Sequence, residues 1–178
     1  MAEIEQLLDR VAAETPKALP WGRTSLSAPA SADAVARAEA ALGFALPPLL
    51  TALDTRIADG GIGPAYGLLT LDTAVVKYRA GRDAGRKDPV WPWPEDVLPV
   101  SGWGCAMLAC VDCRVEDAPV LLYEPDADET DHARYVDAPS LETWLRTWLD
   151  GTGWYADEDG IGDDDMPSWP DFAARARI

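Results

Sequence analysis

Histidine occurs once and cysteine three times in 178 residues, and cations are scarce, with 15 Lys plus Arg against 31 Asp plus Glu. Each shortage narrows the field. His132 alone cannot build a histidine-rich metal centre, and its sequence Asp131-His132-Ala133-Arg134 offers a general base near pH 7 without an obvious nucleophile. The chain has no Gly-x-Ser-x-Gly elbow and no glycine-rich phosphate loop ahead of a helix. Cys105, Cys110 and Cys113 cannot all pair within one chain, which fits a reducing compartment better than a disulfide scaffold. The formal net charge of −16 repels nucleic-acid phosphates and anionic membrane surfaces, so neither is an expected partner. The longest apolar run, Gly102 to Val111, is about half of the roughly 20 residues that a membrane-spanning helix needs. Met1 to Gln6 is acidic and lacks the basic start and apolar core of an export signal, so a cytoplasmic location is expected.

What is present can fold. Hydrophobic residues make up 48% of the chain, so its acidity belongs on a surface around a core and not on a disordered polymer. The length suits one domain, expected over residues 1–178.

Local signals mark the helices. Ile4, Leu7, Leu8 and Val11 repeat at helical spacing over residues 2–13, before Pro16 and Pro20. Residues 19–30 read as a connector whose Trp21 tucks onto the core. Ser31 is a good cap for a helix with Val35, Ala38 and Leu42 on one face and Gly43 at its end. The stretch Leu46-Pro47-Pro48-Leu49-Leu50 opens another helix, because a proline in the first turn loses no hydrogen bond; its stripe is Leu49, Leu50, Leu53 and Ile57, and Gly60 or Gly61 is its predicted stop. Ser140 caps a last clear helix that puts Leu141, Trp144, Leu145, Trp148 and Leu149 on one broad face before Gly151.

The phrase Leu42-Gly43-Phe44-Ala45-Leu46-Pro47-Pro48-Leu49-Leu50, followed by Asp59-Gly60-Gly61-Ile62-Gly63-Pro64 and Tyr66-Gly67-Leu68-Leu69, resembles the SMI1/KNR4 family of the SUKH superfamily in its bacterial form. Trp103-Gly104-Cys105, Val111-Asp112-Cys113 and the segment from Ser140 to Gly151 agree with its central strands and last helix. The resemblance covers about residues 30–151, which leaves the helix over 2–13 and an acidic tail over 152–178 outside it.

Strands are expected at Leu68 to Leu71, Val97 to Val100, Cys105 to Val111, Val120 to Tyr123 and Arg134 to Val136. Between the first two, Asp72 is expected to cap a short helix with Val75, Val76 and Tyr78, before a polar stretch from Gly81 to Asp88. Short connections between strands argue for a mainly antiparallel sheet of about four to six strands flanked by helices, an α+β fold. The resemblance implies the same architecture.

The search for chemistry is mostly negative. Cys110-Val111-Asp112-Cys113, with Cys105 and His132, supplies four possible zinc ligands, but alternation along a strand sends Cys105 and Cys110 to opposite faces. Residues 157 to 165 hold six carboxylates in nine positions: Asp157, Glu158, Asp159, Asp163, Asp164 and Asp165. As a calcium loop this run fails, since taking Gly160 as the invariant glycine puts Tyr155 first and Met166 at the glutamate position. No catalytic, cofactor or metal residues are assigned.

Binding is the better reading. Trp91 and Trp93 lie in a proline-rich loop and Trp154 and Tyr155 directly precede the acidic run, so these four either present aromatic surface near negative charge or pack the loops down. Aromatic anchors with an acidic rim suit a basic protein. The resemblance implies more: bacterial SUKH-like proteins are widely immunity proteins that bind and neutralise toxins, frequently nucleases, and fungal relatives regulate through protein contacts. A non-catalytic toxin-neutralising protein is therefore the leading expectation, with a regulatory interaction module and a metal-binding protein or enzyme as alternatives.

Overall fold

The computed structural model describes residues 2–17, 19, 24–87, 92–125, 134–156 and 166–175. Helix α1 (Ala2–Glu14) turns Leu7, Leu8 and Val11 into the core, as the spacing predicts. Ser31 caps α2 (Ala32–Leu42) by accepting from the Ala34 amide, and Gly43 ends it in the left-handed conformation, φ 87°. Helix α3 (Pro48–Arg56) begins after Pro47 and buries Leu50 and Leu53.

The predicted stop of α3 is wrong by several residues. The helix closes at Ile57 in an ordinary right-handed conformation, and Gly60 and Gly61 serve the next connection instead. There Gly61 N donates to Leu68 O at 2.7 Å and Leu68 N to Ile62 O at 2.6 Å. A Cβ on Gly60 would meet the Thr70 backbone nitrogen at 2.8 Å, so close passage of two chain segments and not helix termination selects glycine here. Asp59 then accepts from the Leu71 amide at 2.8 Å, which satisfies one of the orphan donors of the following helix.

That helix, α4 (Leu71–Lys87), corrects two expectations. Leu68 to Leu71 is no strand; Leu68 makes a single bridge to Ser101, and Leu71 is already helical. The helix is also long, because Leu71, Ala74, Val75, Tyr78 and Gly85 keep one buried face running through the polar stretch. Gly81 and Gly85, inside the stretch expected to be polar and non-helical, make room for Trp93: a Cβ on Gly81 would meet its ring at 2.8 Å, and one on Gly85 would meet its backbone nitrogen at 2.7 Å.

Four strands form an antiparallel meander in the order β1 (Val97–Gly104), β2 (Met107–Asp112), β3 (Val120–Tyr123) and β4 (Arg134–Ala138). Pro99 is tolerated because β1 is an edge strand of this sheet. Cys105, expected in a strand, sits with Ala106 in the two-residue turn between β1 and β2, both at positive φ (45° and 62°). Helix α5 (Leu141–Asp150) has Ser140 accepting from the Thr143 amide and Gly151 at φ 66° beyond it, as expected from its cap residues. Helix α4 packs on β1 and α2, while α5 packs on β4, α1 and α3. One continuous core joins all of these elements, including Trp144 and Leu145 at 0% exposure. The whole is an α+β fold.

After α5 the chain makes a short 3-10 turn at Trp154–Ala156, and residues 166–175 return to the sheet, ending in helix α6 (Phe172–Arg175). Val136 N donates to Pro167 O at 2.8 Å, and Tyr135 bridges to Ser168 along the free edge of β4. Trp169 and Phe172 are buried at 7% and 6% exposure, so both aromatics of this segment dock fully.

Candidate functional site

Helix α5 is tied to β4 by a side-chain hydrogen bond as well as by packing. Trp144 points inward because the i, i+3, i+4 pattern from Leu141 faces the core, and its Nε1 donates to Asp137 Oδ2 at 3.0 Å. Aromatic rings then gather over this contact. Trp103, near the end of β1, lies 6.4 Å from the Trp144 ring, 4.9 Å from Trp154 and 4.8 Å from Tyr155, measured between centroids. These spacings lie within the range of favourable aromatic packing.

Burial pushes the Asp137 carboxyl up to about 6, against the stabilising influence of the Trp144 and Trp154 indoles. Trp154 Nε1 is close enough to hold that value down yet stays outside hydrogen-bond geometry, as do the buried Trp103 Nε1 and the Tyr155 hydroxyl. Burial also pushes the Tyr155 hydroxyl up to about 12.

Beside this cluster lies a cleft of about 280 Å³. Val136 and Asp137 of β4 form one wall, Thr147 of α5 another, and Trp154 and Met166 stand at its two chain crossings. Trp154 and Met166 bracket the acidic run of residues 157–165 in sequence. Nothing in local periodicity pointed to Asp137 or Met166; their roles depend on chain segments about thirty residues apart meeting at one sheet edge.

The expected aromatic quartet divides. Trp154 and Tyr155 are partly exposed and stand in the cluster. Trp93 takes the packing alternative: it is 7% exposed, its Nε1 donates to Val97 O at 2.9 Å, and it fills the notch left by two glycines of α4, so it offers no surface to a partner. Trp91, His132 and the six acidic residues Asp157, Glu158, Asp159, Asp163, Asp164 and Asp165 lie outside the described residues, as does Trp21.

The cysteines are scattered. Cys105 is exposed in its turn, Cys110 is buried in β2, and Cys113 is partly buried, with its thiol pushed up by burial and by neighbouring carboxylates. Among the described residues no group of three His, Cys, Asp or Glu side chains is placed to hold a metal ion. No helix among them is long and apolar enough to cross a membrane.

No curated protein matches the chain significantly. The profile of the SMI1/KNR4 family (SUKH-1) matches residues 29–147, from the connector before α2 to the second turn of α5. Its span takes in α2, the Leu-Pro-Pro start of α3, the Asp59-Gly60-Gly61 crossing and all four strands, and the chain belongs to the SMI1/KNR4 family, SUKH-1.

Proposed function

We propose that this chain is a non-catalytic protein-binding domain, and specifically an immunity protein that neutralises a cognate basic toxin, such as a nuclease, by covering its active surface. The observation that carries the reading is the placement of Trp154 and Met166 on one cleft, because these two residues flank a run with six carboxylates. Aromatic anchors beside dense negative charge combine short-range burial with long-range steering of a cationic surface. The formal charge of −16 adds to the same field. Family membership supports a role in protein interaction.

The site residues of this reading are Trp91, Trp154 and Tyr155 with Asp157, Glu158, Asp159, Asp163, Asp164 and Asp165. The test begins with affinity capture from the native lysate at low and at high salt, using the folded protein as bait. Recovery of a basic protein that is lost at high salt, and whose toxic activity is abolished by one equivalent of this protein, is the expected result. A captured partner whose activity is unaffected at saturation would replace neutralisation with a regulatory contact.

A further inference from the structure

Helix α5 has a second concavity at its other end. Thr147 lines the cleft described above, whereas Leu141, six residues earlier and so about 9 Å along the axis, lines a separate groove of about 310 Å³. Three helices meet there. Ile4 of α1 and Pro48 and Leu49 of α3 face Leu141 across the groove, and Ala118 of the β2–β3 connection closes it. The apolar surface open to a ligand belongs to Ile4, Pro48 and Leu49, with the buried Leu141 and Ala118 (1% and 3% exposed) as the rigid backing.

The rim has the opposite character. Glu116, Asp117 and Glu142 stand around the opening. Glu142 is engaged by Arg146 at 2.6 Å, but among the described residues no cation pairs with Glu116 or Asp117, and both are exposed. Beside them Val115 keeps 42% of its surface in water. The backbone that carries these groups is fixed, because the Leu141 amide donates to Asp117 O at 3.3 Å and Ala118 N to Val115 O at 2.9 Å.

We infer that this groove is a second docking site, taking an apolar side chain flanked by lysine or arginine on an exposed segment of a partner protein. An apolar floor rewards burial of an aliphatic or aromatic group in the manner of an interface hot spot. Glu116 and Asp117 select what surrounds it: cations on either side of the inserted group gain favourable pairing, and an acidic segment is repelled by these carboxylates and by a formal net charge of −16. The volume accepts a side chain or two and is at the small end for an organic cofactor. Neither the acidic run nor a toxin takes part in this contact.

The test is a titration of ¹⁵N-labelled full-length protein with acetyl-Arg-Leu-Arg-amide, with acetyl-Gly-Leu-Gly-amide and acetyl-Glu-Leu-Glu-amide in parallel, followed by amide shifts. The expected result is saturable movement of Leu49, Ala118 and Leu141 with the arginine peptide, at least about fivefold weaker with the glycine peptide and absent with the glutamate peptide. The double variant Glu116→Lys, Asp117→Lys should bind the arginine peptide at least about tenfold more weakly while its remaining spectrum stays in place. Trp154→Ala should leave this titration unchanged, which separates the groove from the cleft. Equal response to all three peptides would make the groove a plain apolar pocket and overturn the inference, as would shifts confined to other residues or an unaltered response in the double variant.

Discussion

Arg175 in α6 donates from Nη1 to Asp112 Oδ2 at the end of β2, across a separation of 63 residues. Asp112 is 1% exposed, and its other carboxylate oxygen accepts from the Arg114 amide at 3.1 Å. Arg175 also donates to Glu95 O at 2.9 Å and lies 5.1 Å from the centre of the Trp169 ring. The returning segment is thus clamped to the sheet by one buried ion pair, a backbone hydrogen bond and a stacked indole.

Removing one partner from a buried pair leaves the other charge desolvated, an effect of about 3–5 kcal/mol. Arg175→Ala should therefore lower the urea midpoint substantially and raise Trp169 exposure to a soluble quencher. The pair of substitutions Arg175→Met, Asp112→Leu should recover much of the stability, since it leaves no orphaned charge. A single variant with unchanged midpoint would mean that the clamp contributes nothing.

Gly85→Ala tests the close approach of Trp93. Intrinsic propensity alone favours alanine over glycine in a helix by about 1 kcal/mol. Against that, the new Cβ would lie 2.7 Å from the Trp93 backbone nitrogen, which cannot swing aside as a side chain can. The expected result is a lower melting temperature despite better propensity. Gly43→Ala gives the comparison, since open space surrounds its Cβ and only its positive φ is lost.

Asp54 sets a pH dependence. It is 1% exposed, and burial first, then the Asp59 charge, push its carboxyl up to about 8, partly offset by a hydrogen bond from the Gly60 backbone. In the unfolded chain the same group ionises near its ordinary value of about 3.9. Between those limits the folded state holds a proton that the unfolded state has released, so stability falls as pH rises from about 4 to about 8. Asp137 acts in the same sense over a narrower window, up to about 6. Asp54→Asn should stabilise the protein by up to a few kcal/mol at pH 8 and by almost nothing at pH 4. Denaturation curves at these two pH values decide it; an equal effect at both would show that the substitution acts through packing.

Reversing charge at Asp163, Asp164 and Asp165 bears on the proposed capture of a basic partner. Steering acts mainly on association, so the triple lysine variant should slow the on-rate by about tenfold or more at low salt and flatten its salt dependence, with a smaller change in dissociation. Trp154→Ala should instead speed dissociation, because an anchor side chain is lost. Binding kinetics unchanged by the triple variant would remove that segment from the interface.

The helices α1, α2 and α5 were legible from the residues because their causes are local. Apolar spacing, a serine that accepts from an amide three residues on, and a glycine at positive φ all lie within a few residues of the helix they define. Three of the four strands were placed to within about two residues for the same reason, and β1 runs four residues past its expected end. The acidic excess and the aromatic pair Trp154–Tyr155 beside it were likewise readable, since composition needs no fold.

Tertiary structure decided the rest, wherever a residue answers to a neighbour distant in sequence. Gly81 opens what reads as a polar stretch after a short helix until Trp93 packs against it and Gly85, and Gly60 looks like a helix stop until residues 68–70 pass over it. Trp93 in its proline-rich loop reads equally as surface or as packing, and it is core because α4 extends far enough to receive it. The unusual states of Asp54 and Asp137 come from burial, and the clamp of Arg175 on Asp112 from the return of the chain to the sheet. Desolvation and close approach are properties of assembled surfaces, so periodicity and spacing along the chain carry little trace of them.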